Sequence, residues 1–573
     1  MKIRRTENKA ALCGGLHVSA VLVSAMYILL LLLVSGCRFS DDDSSDSRPV
    51  IPSGAVSIYD FSSSVLTVSQ TGMKGKKLYL AKTNPTSSVI SASDTAYVAS
   101  SSGLTSDISL SSASAALSVC TTAESADQNG DFLELDTAEL NGTKVVHSMS
   151  SARSAGSETG TGSDLAVGTV KQFYLESSLV TSATLRAKGS YCYVWIVDGY
   201  YTEASPDGNK VNTDVAQTFA TRFDSVYPLI RNVYGCESDE LLTGYDDSTK
   251  TFTSSPMVSL SDTGTKVNII VYDIGNDGAG GTVYGIYRYR DYYSRSLAGD
   301  YTSAASSNQG KYFYIDSYYA NTIFKKIICT LAHEFQHMIG FNVKYMQQGI
   351  TASKAYKEML SMLCEDLVQN KLGNSDMETA KIRLPFFNQY YYLFGTSQCN
   401  NDNVSYACTY TFGAWLARQF GGAALVQSMA HDGYEGTDSM VHAVNSINGT
   451  SYTMADLLKL YVQSFLYQEN AGLNKSAAQT LSCNSYTYPM AAINLWDSQY
   501  DWVNTTFTAS DITNAVSANG EYIGPAIMTN AYRCQLAPYG VSVHALGTAA
   551  SDTVTLTLSS GCSTRQNLYV LVQ

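Results

Sequence analysis

Histidine is scarce in this chain, with 7 in 573 residues, and no two of its 12 cysteines stand in a Cys-x-x-Cys pair, so a thiolate zinc site is not expected. Basic charge is short as well. Lys and Arg number 37 against 50 Asp and Glu, a net charge of −13, which argues against nucleic acid or an anionic membrane surface as partner. No internal repeat is present, which excludes a solenoid. What little histidine there is concentrates in one place: His333-Glu334-Phe335-Gln336-His337.

On an α-helix, residues i and i+4 share a face, so both imidazoles of that pentapeptide can turn toward one zinc ion. Glu334 then stands beside them as general base for a metal-activated water, the machinery of metal-assisted peptide hydrolysis. The plainer alternative is a pair of surface histidines one turn apart. Ile323, Ile327, Ile328, Leu331, Phe335 and Met338 speak against it, because their spacing predicts a largely buried helix. Buried His and Glu without partners are costly, and a metal removes that cost.

A catalytic zinc needs a third protein ligand. The acidic candidates Glu358, Glu365 and Asp366 fall on the next predicted helix, Ser353 to Asn370. Glu358 and Glu365 are nearly two turns apart and share a face, so one is expected to bind metal while the other orients a histidine. Solvated helix glutamates are the alternative, weakened by Met359, Leu360, Met362, Leu363 and Leu367 around them. Glu358 is the preferred ligand. An oxyanion donor is also required, and Tyr406, Tyr410, His431 and His442 lie in the right part of the chain. Tyr410 is the first choice among them, although 41 tyrosines make any single one a weak signal. His147 and His544 read as ordinary surface or strand histidines.

The amino terminus reads as an export signal. Lys2, Arg4, Arg5 and Lys9 precede an apolar stretch from Val18 to Val34, and Val34-Ser35-Gly36-Cys37 resembles a bacterial lipobox with Cys37 as the acylated residue. Residues 1–36 are then the signal and 37–52 an acidic, Ser-rich tether. An uncleaved membrane anchor is the alternative. Arg38 after Cys37 favours the outer membrane. Export permits disulfides, and Cys399 with Cys408 and Cys534 with Cys562 are the first pairs to test, while Cys329 and Cys364 could pair or stay buried thiols.

Composition divides the remainder into a β-rich N-terminal domain at 53–185, a catalytic unit at 186–475 and a β-rich C-terminal region at 476–573. Ser148 to Gly168 is a linker. Tyr191 to Val197 and Lys266 to Tyr272 read as buried strands, with a helix from Val215 to Val233 between them. Thr282 to Tyr289 and Tyr312 to Ile315 lead into the motif helix, which Gly340 is expected to cap. Tyr410 to Phe420 and Met454 to Tyr467 are further helices. The fold class is α+β.

His333 to Asn342 (H-E-F-Q-H-M-I-G-F-N), followed by Glu358-Met-Leu-Ser-Met-Leu-Cys-Glu365-Asp366-Leu, resembles the hyicolysin-like family of bacterial metallopeptidases within the gluzincin group. The likeness runs from about Tyr191 to Gln468 and includes Tyr272-Asp273-Ile274 and Tyr410-Thr-Phe-Gly-Ala-Trp-Leu. It implies a zincin-like catalytic domain with one zinc held by His333, His337 and Glu358, and Glu334 as base. Thermolysin-like members carry an aspartate four residues after the ligand glutamate. Here Met362 stands there, so Glu365 or Asp366 would have to orient a histidine.

The expectation is a lipid-anchored, extracytoplasmic zinc endopeptidase of the bacterial envelope, acting on protein or peptide laid along Thr282 to Tyr289 as an edge strand. A non-enzymatic surface adhesin with a structural or decayed zinc site, and a metallohydrolase acting on a non-peptide bond, are the alternatives.

Overall fold

The computed structural model describes residues 56–105, 144–146 and 164–573, with breaks at 177–178, 258–262, 276–282, 375–376, 397–402, 469, 482–485 and 509. The signal, Cys37, the tether, His147, most of the linker and the Cys399 half of one expected disulfide lie outside the described residues.

Six strands form the central sheet. Val170–Tyr174 (β1) and Val180–Lys188 (β2) make a hairpin; Cys192–Val197 (β3) and Val267–Tyr272 (β4) follow, then Gly285–Tyr287 (β5) and Tyr312–Asp316 (β6). Their order across the sheet is β5-β6-β4-β3-β2-β1. β4 runs parallel to both β3 and β6, which explains why Cys-Tyr-Val-Trp-Ile-Val and Val-Asn-Ile-Ile-Val-Tyr are nearly continuous apolar runs: every residue of both strands is buried. β5 is antiparallel to β6 and forms the sheet edge. β1 and β2 belong to this sheet, so the boundary expected at residue 185 falls inside β2 and within the sheet.

Helix α1, Thr213–Tyr234, begins where Asn212 accepts the Val215 N–H and packs Phe223 and Tyr227 on Phe335. Asp316 at the end of β6 accepts the Tyr319 N–H, starting the short Ser317–Thr322 helix that leads into α2, Phe324–Gly340. Gly340 does not cap α2. It keeps right-handed helical geometry (φ −58°, ψ −38°), and the chain runs on into a wide helical turn, Phe341–Met346, whose side chains are all buried. Helix α3, Lys354–Leu372, packs against α2 and ends at Gly373, whose φ of +83° suits glycine.

Glu378–Tyr390 (α4) and Asn403–Phe420 (α5) come next, then helices Gly422–His431, Gly436–Asn448 and Met454–Ser464. The expected helical half is therefore present, with α4 and two further helices added. α4 carries Pro385 inside it, which hides it from a reading that treats proline as a breaker.

The β-rich ends are not two separate regions. Ser57–Asp60, Asn567–Val572, Lys77–Thr83, Val541–Ala549 and Met528–Thr529 share one sheet, and Thr553–Leu558 lies between Val65–Ser69 and Val98–Ser102 in another. Val68, Leu80, Val98, Leu546, Val554, Leu556 and Val570 form the common core. Neither end alone supplies enough strands to bury such a face. His544 is a buried strand residue here, its Nδ1 3.1 Å from the Thr529 carbonyl.

Cys534 and Cys562 do not pair, and of the two states expected for Cys329 and Cys364 the structure has the buried thiols. Cys562 lies 3.0 Å from Ser559 Oγ and Cys534 is a separate buried thiol. Cys329 is contacted by the Asn374 amide at 3.1 Å, and Cys364 donates to the Ala332 carbonyl at 3.6 Å.

Candidate metal centre

The α2–α3 contact brings His333, His337 and Glu358 together. One ligand atom from each lies within 4.8 Å of the others, and among the described residues no other group of His, Cys, Asp or Glu does this. His333 Nε2 is 3.2 Å from Glu358 Oε2 and His337 Nε2 is 3.7 Å from Glu358 Oε1. The two rings are edge to face with centroids 4.8 Å apart.

Both histidines have a side-chain partner on α3 besides Glu358. His333 Nδ1 is 2.6 Å from Glu365 Oε1, whose other oxygen accepts from Thr379 Oγ1 at 2.7 Å. Ser361 Oγ stands at the edge of the His337 ring, 3.1 Å from Nδ1 and 3.3 Å from Nε2, and donates to Gln336 Oε1. An Nδ1–H given to Glu365 leaves the His333 Nε2 lone pair aimed at Glu358, the tautomer a metal ligand needs. Glu358 thus presents to the two imidazoles while Glu365 orients one of them, and Met362 is bypassed.

Without a cation the cluster is electrostatically uneasy. Burial disfavours charge on His333, yet the bonded carboxylates of Glu358 and Glu365 outweigh it and push the ring up to about 10. Burial, with Glu358 and Glu365 behind it, pushes Glu334 up to about 8 against the opposing pull of His333. Burial, then the charges of His333, Lys357 and Lys354, drives His337 well below its ordinary value. Glu334 Oε2 is buried with no hydrogen-bond partner. A divalent cation among the three ligand atoms would supply the positive charge that a proton on His333 now supplies, and the donor set of two imidazoles and one carboxylate suits zinc.

Tyr410 and Asp366 do not belong to this cluster. Tyr410 is fully buried and donates to Asp366 Oδ2 at 3.4 Å, and Asp366 is ion-paired with Arg418 at 2.9 Å, whose Nε binds the Ala491 carbonyl. This network ties α3 to α5 and to the chain near Ala491. Asp366 points there because it is one residue, about 100° of helix turn, past Glu365. His431 and His442 are held elsewhere, by the Val233 carbonyl at 3.1 Å and Asp432 at 3.3 Å.

Tyr406, one turn before Tyr410 on α5, lines the cleft with His333, Glu334 and Glu365, beside Arg383, Thr330 and Tyr284. Arg383 lies over its ring at 4.9 Å. Ser361, Thr379 and Arg383 escape a reading of the sequence: the first carries no charge, and the others sit at and on the unforeseen α4. The signal for Ser361 was its position three residues after Glu358, on the same helix face.

β5 meets the centre directly. The Tyr287 N–H donates to the Glu334 carboxylate. At Gly285 an added Cβ would stand 2.6 Å from Thr330 Cγ2, 2.9 Å from the Tyr314 carbonyl oxygen and 3.0 Å from Glu334 Cγ, so glycine lets the edge strand close onto α2.

No protein-family model matches the chain. Over 316 residues it is 23% identical to the neutral metalloprotease ShpI of Staphylococcus hyicus, a match covering 51% of this chain and 60% of that protein. The chain thus spans less than two thirds of the relative's length, and its similarity is to a protein named as a metalloprotease.

Proposed function

We propose that the chain is a zinc metalloendopeptidase with a gluzincin-type ligand set, exported and lipid-anchored at Cys37 in the bacterial envelope. The observation that carries the catalytic part is the convergence of His333, His337 and Glu358 beside the buried, half-unpartnered carboxylate of Glu334. A purely structural zinc site has no use for that carboxylate, which speaks against the adhesin alternative. The similarity to a neutral metalloprotease supports the same reading. The anchor rests on the lipobox-like pattern ending at Cys37.

Held by His333, His337 and Glu358, zinc would supply Lewis acidity and a lowered pKa of water. Glu334 takes the proton from the attacking water and returns it to the leaving amine. Glu365 and Ser361 fix the imidazole orientations. The Tyr406 hydroxyl, on the cleft wall, donates to the oxyanion. An extended peptide pairs its backbone with the free side of β5, which keeps binding tolerant of sequence.

Purified protein should digest casein, lose that activity with a chelator and regain it with zinc. Digestion that persists in metal-free protein, or intact casein with zinc bound, sinks the proposal. Tyr406→Phe should lower kcat by about 10²–10³-fold with little change in KM. Tyr410→Phe should keep kcat within a few-fold. The reverse ranking would return the donor role to Tyr410.

A further inference from the structure

Helix α4 turns two side chains, one helical turn apart, toward the cleft. Thr379 and Arg383 stand at i and i+4, on one face of the helix. Thr379 donates to Glu365, which in turn meets His333 Nδ1. That arm steadies a metal ligand. Arg383 reaches the first turn of α5, where its Nη1 donates to Asn403 Oδ1 at 3.3 Å and its guanidinium carbon stands 4.9 Å from the centre of the Tyr406 ring. Asn403 and Tyr406 are three residues apart and share a helix face, so one planar fork engages both.

Arg383, Asn403 and Tyr406 are all buried. A buried guanidinium is stable only where its charge and its N–H groups are met, and an aromatic face with an amide oxygen beside it meets part of each need. α5 has another anchor. The Asp366–Arg418 ion pair at 2.9 Å and the Tyr410 hydroxyl on Asp366 already tie it to α3. What Arg383 adds is local, the direction of one ring that lines the cleft beside His333 and Glu334. A phenol that can turn about its side-chain bonds spends part of its time aimed away from the reacting carbonyl, and a donor is worth most where it is aimed before charge develops. A cation against the ring also favours the negative charge that a phenol takes on as its proton leans toward an oxyanion.

We infer that Arg383 is a positioning residue for the oxyanion donor, pinning the Tyr406 ring from α4 so that its hydroxyl faces the metal centre. The inference deepens the peptidase reading and rests on it. Arg383 acts through Tyr406 and touches no reacting atom.

The test is a double-mutant cycle of Arg383→Met and Tyr406→Phe in the full-length zinc-loaded protein, read as kcat and KM on a blocked peptide, with zinc content and thermal midpoint measured for each variant. Arg383→Met should lower kcat by about 10–100-fold with KM within a few-fold and zinc retained. Added to Tyr406→Phe it should cost no more than a few-fold further, because phenylalanine keeps the ring but has no hydroxyl to aim. Arg383→Lys keeps the charge without the planar fork and should recover only part of the loss. If the Met variant does not fold, the Lys variant carries the same cycle. Losses that multiply overturn the inference, as does wild-type kcat in either single variant. Binding of a peptide phosphonamidate, whose tetrahedral phosphoryl group imitates the oxyanion, separates the two claims. A loss of binding shared without addition by Arg383→Met and Tyr406→Phe, with no hydrolysis by wild type, refutes the peptidase reading alone. Hydrolysis by wild type with independent losses in the two variants refutes the role of Arg383 alone.

Discussion

Glu334→Gln should leave one zinc bound and lower peptide hydrolysis by about 10²–10⁴-fold, the range of a lost general base. Glutamine keeps the volume and the oxygen that accepts the Tyr287 N–H, so the edge strand stays docked. What it removes is the proton acceptor, since a carboxamide does not take a proton at neutral pH. Zinc content by elemental analysis and kcat on a blocked peptide measure the two effects separately. Activity within a few-fold of wild type would remove Glu334 from the mechanism. The substitution has a second consequence in metal-free protein. Glu334 is raised from 4.5 to about 8, so its protonated form favours the folded chain. That contribution is complete below pH 4.5 and is lost as pH rises through 8. The Gln variant carries no such group, and its thermal midpoint without metal should fall less than that of wild type across this interval.

The centre was legible in the sequence where chemistry and helix spacing coincide. His333 and His337 must share a face, and Glu358 and Glu365 lie nearly two turns apart on the following helix, so the four carboxylate and imidazole groups could be brought together from spacing alone. β3 and β4 were legible because strands buried on both sides read as unbroken apolar runs. Spacing does not decide which of two tyrosines one turn apart faces the cleft. Tyr406 and Tyr410 sit on the same helix face, and the outcome depends on Arg418, far along α5, drawing Asp366 and Tyr410 into a buried network behind the site. Pairing of the chain ends was equally hidden. The strands at Lys77–Thr83 and Val541–Ala549 each alternate sensibly by themselves, and nothing local in either records that they are partners.

Glu358→Gln should lose zinc, activity and stability together. The substitution keeps the shape of the side chain but removes the negative charge that complements a divalent cation, and two neutral histidines alone make a weak site. Because the metal binds only the folded chain, its loss lowers stability by RT ln(1 + [L]/Kd), about 2.7 kcal/mol if zinc stands at a hundred times its dissociation constant. The variant's thermal midpoint should therefore fall below that of zinc-loaded wild type, and chelator should shift it no further, whereas chelator should lower that of wild type. Glu365→Gln is the matched comparison. It disturbs only the bond at His333 Nδ1, 2.6 Å long, and should weaken zinc binding by about 10–100-fold while leaving an active enzyme at saturating metal. If Glu365→Gln instead abolishes zinc binding and Glu358→Gln retains it, the two glutamates exchange roles. The geometry favours the first outcome, because Glu358 places one oxygen toward each histidine, 3.2 and 3.7 Å from their Nε2 atoms, whereas Glu365 reaches only the back of one ring.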